Sequence, residues 1–355
     1  MKRILAIVLC LVMALSVVAC GEKEVEYKLG MGIVVSTEES ATGLAQVDAT
    51  VATVVLDADG KIFVCRIDAV QNKMTVTDGA VDTAATFKTK MEQGDAYGMA
   101  AAVNYGMDWN GDGVVKEWYD QAKAFEAYVV GKTVAEVEAM ATKEVEGKGY
   151  VISAEDALLS AGCTIQITDF KAAVVKACKD EQGTSFKAVA GTFTLGVAAT
   201  SFVDEATKAA TAEADGVVAM YSDFAASVVV DGKIVASLND AIQPQININA
   251  AGEVTPVEFK GTKRELKDAY GMAPALGYGM DWNGDGKVLE WYVQSAEFSK
   301  FVVGKTAAEV EAMATKEVEG KGYVISADDA LLSAGCTIQI TAIKAVVAKS
   351  VTNAR

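Results

Sequence analysis

The chain has 355 residues, a formal net charge of −16 and no histidine. The acidic balance argues against a nucleic-acid-binding protein, because phosphate contacts need clustered Lys and Arg. The absence of histidine excludes Ser-His-Asp catalytic triads, imidazole zinc ligands and histidine proton shuttles.

The first element predicted along the chain is a secretion signal. Lys2 and Arg3 precede an apolar run over residues 4–18, which is too short for a comfortable membrane span. The run ends in Val-Val-Ala-Cys, which resembles a bacterial lipobox. We therefore expect a signal peptide over residues 1–19, lipidation of Cys20, and a tether over residues 20–26. The lipid would anchor the protein to the extracytoplasmic face of the cell membrane. An ordinary secreted protein is the alternative.

The rest of the chain consists of two similar copies. Residues 135–168 and 308–341 are identical except that Asp328 replaces Glu155. This repeat predicts two tandem homologous domains, residues 27–178 and 191–350, each with its own core. A polar linker is expected over residues 179–190. Because the copies are so similar, a genuine site is expected in both.

Each copy is predicted to begin with strands and to end with helices. Asp-Gly pairs at residues 59–60 and 231–232 separate β-branched runs, a pattern typical of a hairpin. A last helix is expected to follow Thr164 in copy one and Thr337 in copy two. The predicted fold class is α+β, with a small antiparallel sheet and helices packed on one side of it in each copy.

A six-residue segment, Asp-Trp-Asn-Gly-Asp-Gly, recurs unaltered in both copies. Oxygen-bearing side chains at positions 1, 3 and 5 with glycine at position 6 resemble the first half of an EF-hand or dockerin calcium loop. Position 12 is tyrosine instead of glutamate, and the nearest shared acid is at position 10. The alternative is a polar turn that caps the following helix. The candidate Ca²⁺ ligands are Asp108, Asn110, Asp112 and Glu117 in copy one, and Asp281, Asn283, Asp285 and Glu290 in copy two.

A Gly-Cys-Thr turn recurs near the end of each copy, with Gly162 and Thr164 in copy one and Gly335 and Thr337 in copy two. Small apolar residues follow at helical spacing. The turn resembles the C-terminal signature of the FMN-binding domain family, in which the threonine hydroxyl can be esterified to the phosphate of FMN. The resemblance implies that these four residues bind FMN, and that the threonines are the attachment points.

The turn departs from that family's pattern at three positions in each copy. The family's serine is alanine here, its alanine is cysteine, and the acid expected six residues before the threonine is leucine. A flavin transferase that reads the serine and the acid would not modify this site. A capped turn without cofactor is the alternative. The replacing residues are Ala161, Cys163 and Leu158 in copy one, and Ala334, Cys336 and Leu331 in copy two.

Aromatic residues cluster around the Asp-Trp-Asn-Gly-Asp-Gly segment of each copy. A planar ring could stack among them, and a packed core beneath the loop is the alternative. They are Tyr105, Trp109, Trp118, Tyr119, Tyr278, Trp282, Trp291 and Tyr292.

These features predict a surface lipoprotein with two FMN-binding-like domains. It would bind flavin or transfer electrons to a redox partner at the cell surface, as a carrier or binding protein instead of an enzyme. The alternative is a non-enzymatic, calcium-stabilised binding or adhesion module.

Overall fold

A computed structural model describes residues 23–105, 108–274 and 281–355. Antiparallel sheets and helices both occur, so the predicted α+β class is confirmed. Cys20 and the predicted signal peptide lie outside the described residues. Within the described ranges, no helix has the length and apolarity needed to cross a bilayer.

Most strands belong to two larger sheets, one from each copy. The first sheet has the order β4-β3-β2-β1-β7; in the second, the long β9 pairs with β8, β10 and β11, and β12 pairs with β11. Two short hairpins, β5-β6 and β13-β14, stand apart. The strands are β1 (Val25–Ser36), β2 (Leu44–Leu56), β3 (Ile62–Thr77), β4 (Ala80–Val81), β5 (Thr142–Val145), β6 (Tyr150–Ser153), β7 (Thr184–Ala188), β8 (Thr194–Val203), β9 (Gly216–Val230), β10 (Lys233–Ile242), β11 (Gln245–Ile248), β12 (Val254–Pro256), β13 (Thr315–Val318) and β14 (Tyr323–Ser326).

Both predicted hairpins are present, as β2-β3 and β9-β10. At the second turn, Asp231 and Gly232 both have positive φ, 49° and 75°. A two-residue turn with this backbone matches the twist of the flanking strands, and Asp-Gly adopts it at little cost. Local turn chemistry therefore sets the register of the second hairpin.

The helices pack on the outer face of each sheet. Trp118, Phe125 and Phe170 contact Val54 and Ile67 of the first sheet in one apolar cluster, and a second cluster does the same in copy two. The helices are α1 (Lys90–Gln93), α2 (Trp118–Val129), α3 (Val134–Glu138), α4 (Asp156–Ser160), α5 (Thr168–Cys178), α6 (Lys263–Leu266), α7 (Trp291–Phe301), α8 (Ala307–Glu311), α9 (Asp329–Ser333) and α10 (Thr341–Thr352).

The inner faces of the two sheets pack against each other. Leu29 and Met31 of the first sheet share one buried cluster with Leu195, Met220 and Phe224 of the second. The molecule therefore has four layers, helices–sheet–sheet–helices. The prediction of two domains that each hold a separate core is not confirmed, because this central core needs residues of both copies.

Part of the predicted linker is a strand. Residues 184–188 form β7, which pairs with β1 from Val25↔Ala188 to Leu29↔Thr184 at the edge of the first sheet. Phe186 reaches the central core. The polar composition of residues 179–190 suits an edge strand whose alternate residues face water, which composition alone does not distinguish from a linker.

The two copies are also joined by reciprocal ion pairs. Lys176 on α5 binds Glu265 of α6 at 2.7 Å, and Lys349 on α10 binds Glu92 of α1 at 2.7 Å. The residues of one pair correspond to those of the other across the repeat, so the contact has the form of a twofold, self-complementary interface. A buried pair, Arg264–Asp180 at 3.1 Å, lies beside the first of them.

Candidate functional site

The threonine turns are buried and held by a glutamine. The Thr164 N–H donates to Gln121 Oε1 at 2.8 Å, and the Thr337 N–H donates to Gln294 Oε1 at 2.7 Å. The two threonines are only 3% and 4% exposed. Gly162, with φ of +83°, permits the tight turn before Thr164. An exposed hydroxyl, which esterification requires, is not present in this conformation.

The helix after each turn begins later than predicted. Helices α5 and α10 start at Thr168 and Thr341, and their N-cap residues Ile167 and Ile340 make no capping hydrogen bond. The residues between Thr337 and α10 are not helical, and the Gln294 carboxamide accepts the N–H groups of Thr337 and Ile338. The threonine hydroxyls therefore do not cap these helices.

Gln121 and Gln294 were not singled out from the sequence. Each is completely buried on the packed face of its helix, and its amide nitrogen donates to a backbone carbonyl, Lys116 O at 2.7 Å or Leu289 O at 2.6 Å. The available signal was a polar residue at the same position of an apolar stripe in both copies. Buried amides of this kind are kept only when all their partners are supplied.

The polar side chains of the predicted calcium loops make most of their hydrogen bonds to the backbone of the same loop. Asp108 accepts the N–H groups of Gly111, Asp112 and Gly113 at 2.7–3.2 Å, and Asp281 accepts those of Asp285 and Gly286. The amides of Asn110 and Asn283 donate to the Asp112 and Asp285 carboxylates, and the buried carbonyl oxygens of both asparagines have no partner among the described residues.

The acids at position 10 bind elsewhere. Glu117 accepts the N–H groups of Met99 and Ala100, and Glu290 accepts those of Met272 and Ala273. In the described ranges, no three Cys, Asp or Glu side chains are placed to hold a metal ion together. The structure thus keeps Asp, Asn and Asp in one loop and separates the fourth predicted ligand from them.

A large cavity, of about 730 Å³, opens in copy two. It lies between the outer face of the second sheet, the start of α10 and helix α7. Thr337 lies in its wall, and so do Thr341 and Ala342 at the uncapped start of α10. Aromatic side chains form much of the rest: Phe202, Tyr221, Tyr270, Trp282, Trp291 and Tyr323.

The cavity holds a buried lysine inside an aromatic box. Lys263, the first residue of α6, is 6% exposed. Its Nζ donates to Tyr221 Oη at 2.8 Å and lies 4.5, 4.7 and 5.5 Å from the ring centroids of Tyr221, Tyr270 and Trp291. Burial lowers the pKa of Lys263, and Asp223, Asp204 and Asp240 oppose that shift.

Several polar atoms of the cavity wall have no partner. Thr200 Oγ1, Asp223 Oδ2 and Trp282 Nε1 are buried and make no hydrogen bond to the described residues. Burial raises the pKa of Asp223 and also that of Tyr221. Orphaned buried groups cost free energy, and a cavity that collects three of them is suited to a ligand that pairs with them.

Copy one differs at the corresponding positions. The strand pairing and the constant shift between the two copies give the corresponding positions. Asp48 corresponds to Tyr221, Thr50 to Asp223, and Asp169 to Ala342. Lys90, the counterpart of Lys263, lies over Tyr97 and Trp118 but is only half-buried. Copy one therefore does not repeat these side chains of the cavity wall. The expectation of a matching site in each copy stays a prediction.

The predicted aromatic clusters divide between core and cavity. Trp118 packs edge-on against Phe170 in the copy-one core, whereas its counterpart Trp291 lines the cavity. Trp109 and Trp282 stack on Tyr150 and Tyr323. Tyr119 and Tyr292 donate to Asp95 and Asp268. Tyr278 lies outside the described residues, as does the side chain of Tyr105.

Comparison with known proteins gives a limited relationship. A protein named chlorophenol reductase, from Desulfitobacterium hafniense, is 32% identical to this chain over 114 residues. The match covers 28% of this chain and 32% of that relative, so the chain spans about a third of the relative's length. No family model matches the chain, and no solved structure matches it.

Proposed function

We propose that this chain is a lipid-anchored, extracytoplasmic protein that binds one planar aromatic redox cofactor of the flavin type, FMN, in the cavity of copy two and transfers electrons to a partner at the cell surface. One observation carries the proposal: the threonine turn that resembles a flavin-attachment site lies in the wall of a ring-lined cavity. The name of the relative, a reductase, supports a redox role.

The residues of the cavity suit such a group. Tyr270, Trp291 and Trp282 offer ring faces on which an isoalloxazine can stack. Lys263 and the N–H groups in the first turn of α10 suit an anionic phosphate. FMN, when bound, would supply the electron-transfer chemistry. Because the Thr337 hydroxyl is buried against Gln294 and the serine and acid of the family are absent, we propose non-covalent binding.

Titration of the exported protein with FMN tests the proposal. Quenching of flavin fluorescence should saturate at one equivalent per chain, and Tyr270→Ala should weaken binding at least tenfold. Tyr97→Ala, the matched change in copy one, should leave the affinity unchanged. Absence of binding at millimolar FMN would rule out the flavin role, and two equivalents would rule out a site confined to copy two.

A second candidate function, a calcium-stabilised surface binding module, is favoured by the unpartnered amide oxygens of Asn110 and Asn283. A cation that binds only the folded state raises stability by RT ln(1 + [L]/Kd), about 2.7 kcal/mol at one hundred times Kd. Millimolar calcium should then raise the melting temperature, and Asp108→Ala with Asp281→Ala should remove the rise. A melt that calcium does not change would leave these loops as capped turns.

The membrane anchor is tested at Cys20. Cys20→Ala should release the protein from the membrane fraction or leave it unprocessed, because no lipid can then be attached. Normal processing with unchanged membrane retention would contradict lipidation at this residue.

A further inference from the structure

We propose that Lys263 is a reactive amine that captures an aromatic aldehyde or ketone in the cavity of copy two by forming an imine. The inference goes beyond the proposed cofactor role and does not depend on it. Three features carry it: the surroundings of the amine, the acid–base groups beside it and the ring-lined space in front of it.

The amine is shielded from water and makes no ion pair with a carboxylate of the described residues. Nζ lies among three rings and has one close polar partner, Tyr221 Oη at 2.8 Å. In the described part of the chain, no carboxylate oxygen lies within 4.0 Å of Lys263 Nζ, which is the limit for an ion pair. Only a neutral amine attacks a carbonyl carbon, and desolvation favours the neutral form of a lysine. Proteins therefore use desolvated lysines as nucleophiles.

Burial favours the neutral amine, and the carboxyl groups that face Nζ oppose this effect only in part. Asp223 and Asp240 come from the sheet, Asp204 from the segment after β8, and the phenols Tyr221 and Tyr270 from β9 and the segment after α6. Burial lowers the pKa of Lys263 and raises that of Asp223. The pKa of Lys263 falls to about 8 and that of Asp223 rises to about 7. Near pH 7.5 part of the amine is therefore neutral, whereas an ordinary lysine with a pKa of about 10.4 would be fully protonated.

Imine formation needs a proton donor and acceptor next to the amine. Nζ bonds to the carbonyl carbon, the carbonyl oxygen takes a proton, and water leaves as the C=N bond forms. We assign these transfers to the Asp223 carboxyl, because it lines the same cavity wall and its buried Oδ2 has no partner among the described residues. Tyr221 accepts the amine's hydrogen bond and orients Nζ. Amine plus carbonyl gives imine plus water, with no change of oxidation state.

The wall selects an aromatic carbonyl compound. Phe202 stacks on Tyr221 with ring centroids 4.9 Å apart, and Trp282 stacks on Tyr323 at 4.8 Å, so flat ring faces line a cavity large enough for a one- or two-ring molecule. Lys90 in copy one provides an internal comparison. It lies over Tyr97 and Trp118 but is only half-buried. Copy one has Asp48 and Thr50 where copy two has Tyr221 and Asp223.

Reductive trapping tests the inference on the wild-type protein. The exported chain is incubated with benzaldehyde and sodium cyanoborohydride at pH 7.5, and benzylated lysines are located by peptide mapping with mass spectrometry. We expect Lys263 to be labelled at least tenfold faster than Lys90, and acetaldehyde to show a smaller preference. Labelling of Lys263 no faster than that of Lys90 would overturn the proposal, and this comparison requires no variant to fold.

Variants separate the chemistry from simple access. Asp223→Asn should slow labelling of Lys263 severalfold and leave Lys90 unchanged, with the circular dichroism spectrum of the wild type. An unchanged rate would contradict the proton-transfer role of Asp223. If FMN does not bind but Lys263 is labelled selectively, the cofactor role fails and the reactive amine stands. If FMN binds and labelling is unselective, the reactive amine fails and the cofactor role stands.

Discussion

Buried polar side chains decide the local geometry of the candidate site. Gln294 of α7 accepts the N–H groups of Thr337 and Ile338 in the threonine turn and donates to Leu289 O. Asp68 and Asp240 each accept the N–H of the next residue in the strand and one N–H at the start of a short helix. Such groups are stabilising only while every partner is present, because an unpaired buried group retains its desolvation cost.

Gln294→Leu tests this role at the turn. The change leaves two buried N–H donors and one buried carbonyl without partners, so the free energy of unfolding should fall by about 3 kcal/mol. Urea denaturation measures it. Gln339→Leu, which alters an exposed neighbour, is the control and should change stability by no more than about 0.5 kcal/mol. Equal effects of the two changes would contradict the role assigned to Gln294.

Asp68 should make stability depend on pH. Burial is the main cause that raises the pKa of its carboxyl to about 6, despite hydrogen bonds from Thr89 and backbone groups. Because the folded-state pKa lies above the unfolded one, the contribution to stability is full below about pH 4 and is lost as the pH rises through about 6. A shift of this size corresponds to about 3 kcal/mol.

Asp68→Asn should therefore flatten the decline of the unfolding free energy between pH 4.5 and 7.5, measured by urea denaturation at several pH values. Asp240, whose pKa burial also raises to about 6, should behave in the same way. Asp59→Asn on the exposed hairpin turn should leave the pH dependence unchanged. A wild-type profile that is flat over this range would show that neither aspartate is a stability determinant.

At the scale of elements, each copy depends on a close contact between its first strand and its last helix. A Cβ atom at Gly30 would lie 2.1 Å from Ala177 O of α5, and one at Gly196 would lie 1.8 Å from Ser350 O of α10. Both obstacles are helix backbone, which does not move aside as a flexible side chain would. Glycine in β1 and β8 therefore sets the distance at which helix and sheet pack.

Gly196→Ala should separate α10 from β8 and lower the free energy of unfolding by more than about 3 kcal/mol, as overpacking at a tight site does. Gly60→Ala is the comparison, since nothing lies within 4 Å of a Cβ there and only its positive φ is strained. That change should cost about 1 kcal/mol. Thermal and urea unfolding of the two variants give the difference, and a small effect at Gly196 would mean that the helix can shift.

At the scale of the whole molecule, the two copies resemble a homodimer fused into one chain. Each sheet has helices on one face and the other copy's sheet on the other, and the ion pairs Lys176–Glu265 and Lys349–Glu92 repeat across the contact. The symmetry does not extend to every side chain: copy two has an open cavity, and copy one carries Asp48 and Asp169 at two of the corresponding positions.

An isolated copy should not remain a monomer. A chain of residues 23–190 would expose Leu29, Met31, Phe186 and their neighbours to water, and an apolar sheet face of this size is a protein–protein contact surface. We expect self-association or precipitation, measured by light scattering after gel filtration. A soluble monomer with a cooperative melt would show that the shared core is dispensable for folding.

The sequence by itself determined the features that depend on neighbouring residues. The Asp-Gly turns fixed both hairpins, since their backbone preference is local, and the repeat fixed the matching order of elements in the two copies. The α+β class followed from those strands and from the helical spacing of apolar residues after them.

Only the tertiary structure decided the rest, because it depends on contacts between residues far apart in the chain. Residues 184–188 form a strand because they pair with the edge of β1. The two threonines are buried because their turns pack against α2 and α7, where Gln121 and Gln294 accept their N–H groups. Lys263 is unremarkable in sequence beside Lys90; its burial among rings comes from β9, where Tyr221 and Asp223 replaced Asp48 and Thr50 of the other copy.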